Sequence, residues 1–463
     1  MQNKATTWRQ MLTGQYAPSL ALICLAVWLH AADSTLIATL IPVITQDIGG
    51  VNLIPWSVAL YEIGSIVAGA ASGLLAINYG LRKPMAIAAA VFSVGCIMSA
   101  MAPEMWVLLL GRVLQGFGGG GLVALSFVAM NTLFPKSLVP SALAFVSMMW
   151  GSSAFLGPLI GGVFASYASW RHAFWFFAIA AILLAIWILK RVQTQVPEES
   201  QNKERFPLFR LVFLTLGVLC IAYAGAEISP IRTPILVIVG LLLLAWFLHK
   251  DSLSKQSRLL PLNPISLRQP LSSGLTMILC FAIASIAITV YGPYLMTKIY
   301  GISVITAGYI VACSSIGWSI AAVAVAKLDE RFDRRMVIIG MLTLSFSIFG
   351  FVYSVPNGPI WLVAVFALIE GAGFGMAWTF ILRLATTIAD DTEKERVAAA
   401  LPTVHRAGYA IGAAYIGIVA NSAGLDTATE AEGVASATFW IFVSCLPFAL
   451  IGLVAAYSFI KQR

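Results

Sequence analysis

The feature that most constrains this chain is the regular return of long apolar stretches along its whole length. Each is close to the ~20 residues that a helix needs to cross a hydrocarbon core about 30 Å thick. The composition agrees, because 60% of the 463 residues are hydrophobic and 10% are charged, whereas a soluble domain is about one-quarter charged. The chain is therefore expected to be an all-α membrane protein with almost no residues left for a soluble domain.

Fourteen such stretches are predicted to be transmembrane helices. The first is too long for a signal peptide and lacks a small-residue cleavage site, so we expect it to be retained. The predicted spans, with approximate edges, lie at about 19–43, 54–77, 84–102, 105–133, 139–167, 172–189, 208–229, 232–249, 271–297, 303–326, 336–354, 359–384, 397–420 and 435–459.

The basic residues predict how the chain is oriented in the membrane. If the N-terminus is cytoplasmic, most of the 28 Lys and Arg residues fall in inner segments, and Arg171, Arg232 and Lys298 face outward. This distribution follows the positive-inside rule. We therefore expect a multi-pass protein of the bacterial cytoplasmic (inner) membrane, with both termini in the cytoplasm.

The net charge of +8 does not indicate a nucleic-acid partner. The cations lie in short inner loops, where they set topology and contact anionic membrane lipid. The six cysteines fall within predicted helices without metal-ligand spacing, so neither a metal site nor a disulfide framework is expected.

Residues 109–124 read LLGRVLQGFGGGGLVA, and Gly116, Gly118 and Gly121 have the spacing of a dinucleotide-binding loop. That loop needs a strand before it and a helix after it, whereas 105–133 is one apolar run without a strand signal. We therefore predict no nucleotide and no cofactor. Gly116 and Gly120 instead form a G-x-x-x-G pair, which favours close helix packing.

Two predicted inner loops resemble each other, GLLAINYGLRK at 73–83 and AKLDERFDRRM at 326–336. They follow predicted helices 2 and 10, so a six-helix unit repeated once, with two helices inserted, explains their spacing. Parallel six-helix halves are a known transporter architecture. We expect an N-terminal bundle at 1–190 (helices 1–6), linkers and inserted helices 7–8 at 191–270, and a C-terminal bundle at 271–463 (helices 9–14).

These residues resemble the major facilitator superfamily, and specifically its fourteen-helix drug:proton antiporter branch, over nearly the whole chain. The resemblance implies that the loop motif G-x-x-x-D-R-x-G-x-R-K forms an inner-side charge latch. Ile77 and Asn78 replace its acidic and basic members in the first copy. The first copy matches at Gly73, Gly80, Arg82 and Lys83, and the second copy carries Glu330, Arg331 and Arg335.

Three further stretches carry the resemblance: LGRVLQGFGG in the fourth helix, GPLIGG in the fifth and AADSTLIATLIP in the first. The fifth-helix match implies antiport, although Ser153 replaces its usual upstream glycine. Its residues are expected to bend that helix and to pack it closely on a helix of the other half. These residues are Gly157, Pro158, Gly161 and Gly162.

Charged residues inside the first half form a candidate proton-coupling site. Asp33, Glu62 and Arg112 fall at one predicted depth, roughly 9–12 Å from the outer edge. A buried charge costs about 2.5–3.5 kcal/mol or more and is functional by default. Arg112 beside Asp33 or Glu62 would form a site that takes and releases a proton, or a permanent ion pair that only fixes packing. The family resemblance implies the coupling role for Asp33.

The second half has its own buried charges, because Glu370 and Arg406 are predicted roughly 14–15 Å deep from opposite sides and so to meet at the midplane. They complete the predicted proton-coupling set. Aromatic residues near the charges are candidates for stacking on a flat or cationic substrate, although most aromatics in such a chain pack or lie at the interface. These candidates are Trp56, Tyr61, Tyr291, Tyr294 and Trp378.

The leading hypothesis is a monomeric, proton-coupled multidrug efflux antiporter that exports amphipathic cationic or neutral compounds by alternating access. The alternative is a proton-coupled exporter of a lipid, siderophore or other metabolite, and sodium coupling stays open. An enzyme or a channel is not expected, because the sequence has no Ser-His-Asp order, H-E-x-x-H, Walker motif or repeated selectivity filter.

Overall fold

The structure is a computed structural model. It describes residue 11 and residues 16–135, 138–192, 207–254, 258–261, 264–326, 328–390 and 394–461. Within these ranges every long element is an α-helix, which confirms the predicted all-α fold. Part of the predicted linker before the inserted helices, residues 193–206, lies outside the described residues.

Fourteen helices of 19 to 32 residues occur in the described ranges, close to the predicted spans. They are α1 Ala17–Ile48, α2 Ile54–Tyr79, α3 Arg82–Ala100, α4 Met105–Leu133, α5 Val139–Tyr167, α6 Trp170–Arg191, α7 Leu208–Ala226, α8 Arg232–Ser252, α9 Pro270–Tyr300, α10 Val304–Val325, α11 Asp333–Asn357, α12 Ile360–Ile388, α13 Lys394–Ser422 and α14 Ala431–Lys461. Short 3₁₀ turns precede α2 at Val51–Leu53 and α11 at Glu330–Phe332.

Thirteen helices of the described chain are long and apolar enough to cross a membrane. The other one, α13, has 29 residues and is more polar, because Lys394, His405 and Arg406 lie within it. Its length still exceeds the ~20 residues that a bilayer core requires.

The helices form two compact units. The first comprises Met1–Leu40 and Leu60–Phe206, and the second comprises Ile41–Ala59 and Pro207–Arg463. The end of α1, the 3₁₀ turn and the start of α2 therefore pack with the second unit, although they precede most of the first unit in sequence.

Glycines bring the helices of the first unit into close contact. On α2, a Cβ atom at Gly64 would lie 2.6 Å from the carbonyl oxygen of Val113 in α4. On α4, Gly116 packs against the backbone of Tyr61 and Gly120 against Ser65. The predicted close packing at Gly116 and Gly120 is therefore confirmed, and α4 is one continuous helix.

In the second unit, α9 packs against α13 and α14, and α12 packs against α10 and α11. The inserted helix α7 packs against both α8 and α13. Gly217 and Gly240 lie where α7 meets α8, since a Cβ at Gly240 would lie 2.7 Å from the carbonyl oxygen of Gly217. The outer surface of α8 is apolar and exposed, as expected for a lipid-facing helix, at Ile235, Ile238, Leu241, Leu242 and Trp246.

A buried ion pair joins the start of α7 to the end of α8. Arg210 Nη1 lies 2.6 Å from Asp251 Oδ1. The same carboxylate accepts hydrogen bonds from the backbone N–H groups of Leu259 and Leu260, at 2.9–3.1 Å. Asp251 thus fixes the segment that follows α8.

Candidate functional site

The first candidate site is built around an ion pair between α1 and α4. Arg112 Nη1 lies 2.6 Å from Asp33 Oδ2, and the two side chains are 1% and 0% exposed. The other carboxylate oxygen, Asp33 Oδ1, is buried and has no hydrogen-bond partner among the described residues. Asp33 therefore holds the guanidinium with one oxygen, while the second oxygen has no partner within the described residues.

Neutral groups also hold Arg112. Its Nη1 donates a second hydrogen bond to Gln115 Oε1 at 2.6 Å, one helical turn along α4. Gln115 Nε2 in turn donates to Cys96 Sγ of α3 at 3.2 Å. The guanidinium carbon also lies 4.2 Å from the ring centroid of Tyr61, which is a cation–π contact.

Tyr61 is itself fixed by α1. Its hydroxyl lies 2.7 Å from His30 Nδ1 and donates to the His30 carbonyl at 3.1 Å. Gly119 of α4 leaves room for this pair, because a Cβ there would lie 2.6 Å from His30 Nδ1. Glu62, the next residue of α2, is also buried. Asp33 and Arg112 of the predicted coupling set and Tyr61 of the predicted aromatic set therefore lie together in the first unit.

The second candidate site lies in the second unit around Glu370 of α12. Glu370 is buried. Its Oε1 atom has no hydrogen-bond partner in the described part of the chain. Like Asp33, Glu370 thus presents one unpartnered carboxylate oxygen. Arg406 is half-buried on α13.

Aromatic rings enclose His405, the neighbour of Arg406. Its ring centroid lies 5.4 Å from that of Phe374, 5.5 Å from Trp378 and 4.4 Å from Tyr409. Trp378 also lies 6.0 Å from Trp318 of α10. Glu370, Phe374 and Trp378 recur every four residues and so share one face of α12. Sequence reasoning named Trp378 and missed the other rings, which resemble ordinary packing residues.

The remaining aromatic candidates of the second unit lie on α9 and at the start of α2. Tyr291 and Tyr294 are buried in α9, and the Tyr291 hydroxyl has no partner among the described residues. Trp56 is buried and meets the Tyr223 ring edge to face, with centroids 6.2 Å apart.

The first motif loop, residues 73–83, has the geometry that its glycine predicts. Gly80 has a φ of 70° between α2 and α3, a left-handed conformation that favours glycine. Gly73 lies in α2, Arg82 is half-buried and Lys83 is exposed.

The second motif loop, which begins at residue 326, forms a charge pair that sequence reasoning missed. Glu330, Arg331 and Arg335 are exposed, and Arg331 lies 3.6 Å from the equally exposed Asp329. The buried acid is Asp333. Arg383 Nε of α12 donates to both of its oxygens at 3.0 Å, and Arg383 Nη2 donates to the Leu328 carbonyl at 3.3 Å.

The glycines of the fifth-helix motif pack against α1. A Cβ at Gly157 would lie 3.0 Å from the Ala32 carbonyl oxygen, and one at Gly161 would lie 3.0 Å from Leu36 Cδ1. Both contacts are with α1, a helix of the same half, and the expected close partner from the other half stays a prediction. Pro158 lies inside α5 and Gly162 is buried. The small side chains let α5 approach the helix that carries Asp33.

Within the described residues, no group of three or more His, Cys, Asp or Glu side chains is arranged to hold a metal ion. A buried ion pair with one unpartnered carboxylate oxygen, inside helices long enough to span a bilayer, is typical of membrane transport proteins that move ions or solutes.

The chain belongs to the Major Facilitator Superfamily, whose family model matches residues 23–293 and 273–463. A probable multidrug-efflux transporter of Mycobacterium tuberculosis is 28% identical over 465 residues, which cover 98% of this chain and 96% of that protein. The multidrug efflux pump SdrM of Staphylococcus aureus is 25% identical over 368 residues, covering 78% of this chain and 79% of the pump.

Solved transporters share the fold. A D-xylose-proton symporter superimposes with a TM-score of 0.67 at 17% identity, covering 97% of this chain and 98% of the symporter. The nucleoside transporter NupG superimposes with a TM-score of 0.65 at 14% identity, covering 96% and 99%. The chain is thus a multi-pass transporter of this superfamily.

Proposed function

We propose that this protein is a proton-coupled multidrug efflux antiporter that exports amphipathic cationic or neutral compounds by alternating access. Two relatives that match over most of their length are named as multidrug efflux transporters. The observation that carries the proposal is the buried pair of Asp33 and Arg112, with its unpartnered carboxylate oxygen.

Asp33 is the proposed proton carrier. When it is charged, it neutralises Arg112. When a proton binds Oδ1, the guanidinium loses the negative charge of Asp33, and weakening a buried ion pair costs several kcal/mol. The Gln115 carbonyl oxygen and the Tyr61 ring remain as neutral partners of Arg112. Asp33 can therefore cycle between charged and neutral forms without leaving Arg112 unsupported.

The second unit supplies the proposed substrate contacts. Glu370 offers a carboxylate oxygen, and Trp378 belongs to a group of rings that suits a flat or cationic compound. Tyr291 and Tyr294 extend this candidate set along α9. Glu62, Glu370 and Arg406 are the further candidates for proton coupling.

The proposed architecture has two six-helix bundles, residues 1–190 and 271–463, with α7 and α8 inserted between them in sequence. We place the protein in the bacterial cytoplasmic membrane as a monomer with both termini inside, because the basic residues favour the loops of that side. Energy would come from the proton gradient, and export of such compounds would confer drug resistance.

The test is transport by the purified protein in proteoliposomes, with an imposed proton gradient and a panel of dyes, biocides and lipids. Uphill movement of cationic or neutral amphipathic dyes that stops when the gradient is collapsed would support the proposal. Gradient-driven movement of only a lipid or a siderophore would favour the metabolite exporter instead. Replacement of the proton gradient by a sodium gradient tests the coupling ion.

A further inference from the structure

The C-terminal end of the inserted helix α7 is held by two asparagines that are far apart in sequence. Asn52, in the turn between α1 and α2, donates from Nδ2 to the Ala226 carbonyl at 2.8 Å. Asn421, near the end of α13, donates from Nδ2 to the Gly225 carbonyl at 2.6 Å and to the Asn52 carbonyl at 3.0 Å. We call these four residues the outer clamp, and all of them belong to the second unit.

The hydrogen bonds of the outer clamp satisfy groups that a helix cannot satisfy alone. The last four carbonyls of a helix have no partner within it, and Gly225 and Ala226 end α7. The clamp gives both carbonyls an amide donor. Asn421 is only 8% exposed, and its Oδ1 has no hydrogen-bond partner among the described residues. The Asn421 Nδ2 atom therefore donates two hydrogen bonds, while its Oδ1 atom accepts none from the described residues.

Small residues bring the three segments together. A Cβ at Gly417 of α13 would lie 2.8 Å from Pro55 Cγ, and one at Gly225 would lie 3.0 Å from the Ile418 backbone nitrogen. The Trp56 and Tyr223 rings add an edge-to-face contact between α2 and α7. The outer clamp is thus a close contact between three chain segments.

We propose that the outer clamp is a gate that closes the transport path on the side predicted to be outer, and that it opens once in each transport cycle. By sequence, Asn52 lies in the first six-helix repeat and Asn421 in the second. Alternating access moves such repeats against each other. A contact that joins them at one membrane face cannot persist when the path opens to that face.

As part of this gate, the inserted helix α7 has a role in transport beyond filling the bilayer. Because α7 packs along α13, it moves with the second repeat, and Asn52 is the residue that leaves. Hydrogen bonds donated by neutral side-chain amides suit a contact that breaks repeatedly, since they leave no unpaired charge when they break. The inference rests on the proposed transport by alternating access and does not depend on which ion drives it.

A reversible cross-link tests the gate directly. In a background whose six cysteines are replaced by serine and which still transports, the pair Asn52→Cys and Ala226→Cys is oxidised, and the extent of cross-linking is measured by mass spectrometry. The control pair is Thr233→Cys with Ala224→Cys. Thr233 Oγ1 donates to the Ala224 carbonyl at 3.0 Å, so it makes the same kind of contact at the same end of α7 without involving Asn52 or Asn421.

We expect the oxidised clamp pair to lose at least about tenfold in transport and to recover when reduced, whereas the control pair stays within about twofold. Undiminished transport by the cross-linked clamp pair would overturn the inference. Equal loss in the control pair would also overturn it, because α7 would then be sensitive to any cross-link.

A second measurement does not need transport. Spin labels at the exposed positions Gln46 and Thr427 report the distance across the outer clamp in detergent. Asn52→Ala and Asn421→Ala should populate longer distances than the wild type, and Thr233→Val should not. Unchanged distributions in both alanine variants would contradict the gate. Longer distances in a protein that shows no proton coupling would leave the gate standing and remove only the proposed function.

Discussion

Asp33 of α1 and Arg112 of α4 form a buried ion pair, with 2.6 Å between Oδ2 and Nη1 and at most 1% of either side chain exposed. Two charges removed from water are costly unless they are paired and hydrogen-bonded. Here the pairing is asymmetric, because Arg112 also has Gln115 and Tyr61 while Asp33 Oδ1 has no partner among the described residues.

Arg112→Ala should lower both stability and coupling. Removing one partner of a buried pair costs about 3–5 kcal/mol, because the other charge is left unpaired. Arg112→Lys should keep part of each property, since lysine keeps the charge without the planar fork. Thermal unfolding in detergent and the pH profile of transport measure the two effects. A well-expressed Arg112→Ala protein with the wild-type pH profile would contradict the assigned role.

Gly64→Ala should push α2 away from α4 and reduce transport. The new Cβ would meet the Val113 backbone oxygen at 2.6 Å, and a backbone atom cannot turn aside. We expect a loss of about 1–3 kcal/mol, as in other overpacked cores. The matched control is Gly69→Ala on the same helix, where nothing lies within 4 Å. Unfolding temperatures of the two variants should differ clearly, and equal values would refute the close contact.

Asp333→Asn should weaken the contact between the start of α11 and α12. It removes the charge that accepts three hydrogen bonds from Arg383, two from Nε and one from Nη2, and this loss should cost about 1.5–3 kcal/mol. Arg331→Gln is the control, because its exposed pair with Asp329 is worth about 0–1 kcal/mol. Unfolding temperature and transport rate should fall for Asp333→Asn only. If both variants behaved alike, Asp333 and Arg383 would not form the latch of the second loop.

Trp378→Ala should weaken the binding of a flat cation such as ethidium. A cation–π contact contributes about 0.5–2 kcal/mol, so the Kd should rise by roughly threefold to thirtyfold. Trp361→Ala on the same helix is the control, since its side chain is 63% exposed. Fluorescence titration in detergent measures both. An unchanged Kd for Trp378→Ala would remove this residue from the substrate site.

The helices were predictable from the sequence because the thickness of the bilayer fixes their length. All fourteen predicted spans correspond to helices in the described ranges, and α4 and α5 have the predicted bounds. Depth was predictable for the same reason, so Asp33 and Arg112 were expected at one level. Depth does not give the rotation of a helix, and the pairing of Asp33 with Arg112 therefore needed the structure.

Other features could not be predicted from the sequence. Their contacts join residues that are far apart in the chain, or they are made by neutral residues of common types. The cost of a buried charge drew attention to Arg112 but not to Asn52 and Asn421, which are neutral. The pairing of Asp333 with Arg383 joins residues 50 positions apart, and the loop motif pointed to Glu330 and Arg331 instead. The contact of Gly157 with α1 depends on tertiary packing, which the motif itself does not specify.

The central claim is that Asp33 carries the proton that drives transport, and Asp33→Asn tests it most directly. The amide keeps the shape of the side chain but cannot titrate. The measurement is dye uptake into proteoliposomes with and without an imposed proton gradient, beside substrate counterflow without a gradient. We predict that the variant folds and retains counterflow but loses gradient-driven uptake. Gradient-driven uptake equal to that of the wild type would contradict the account.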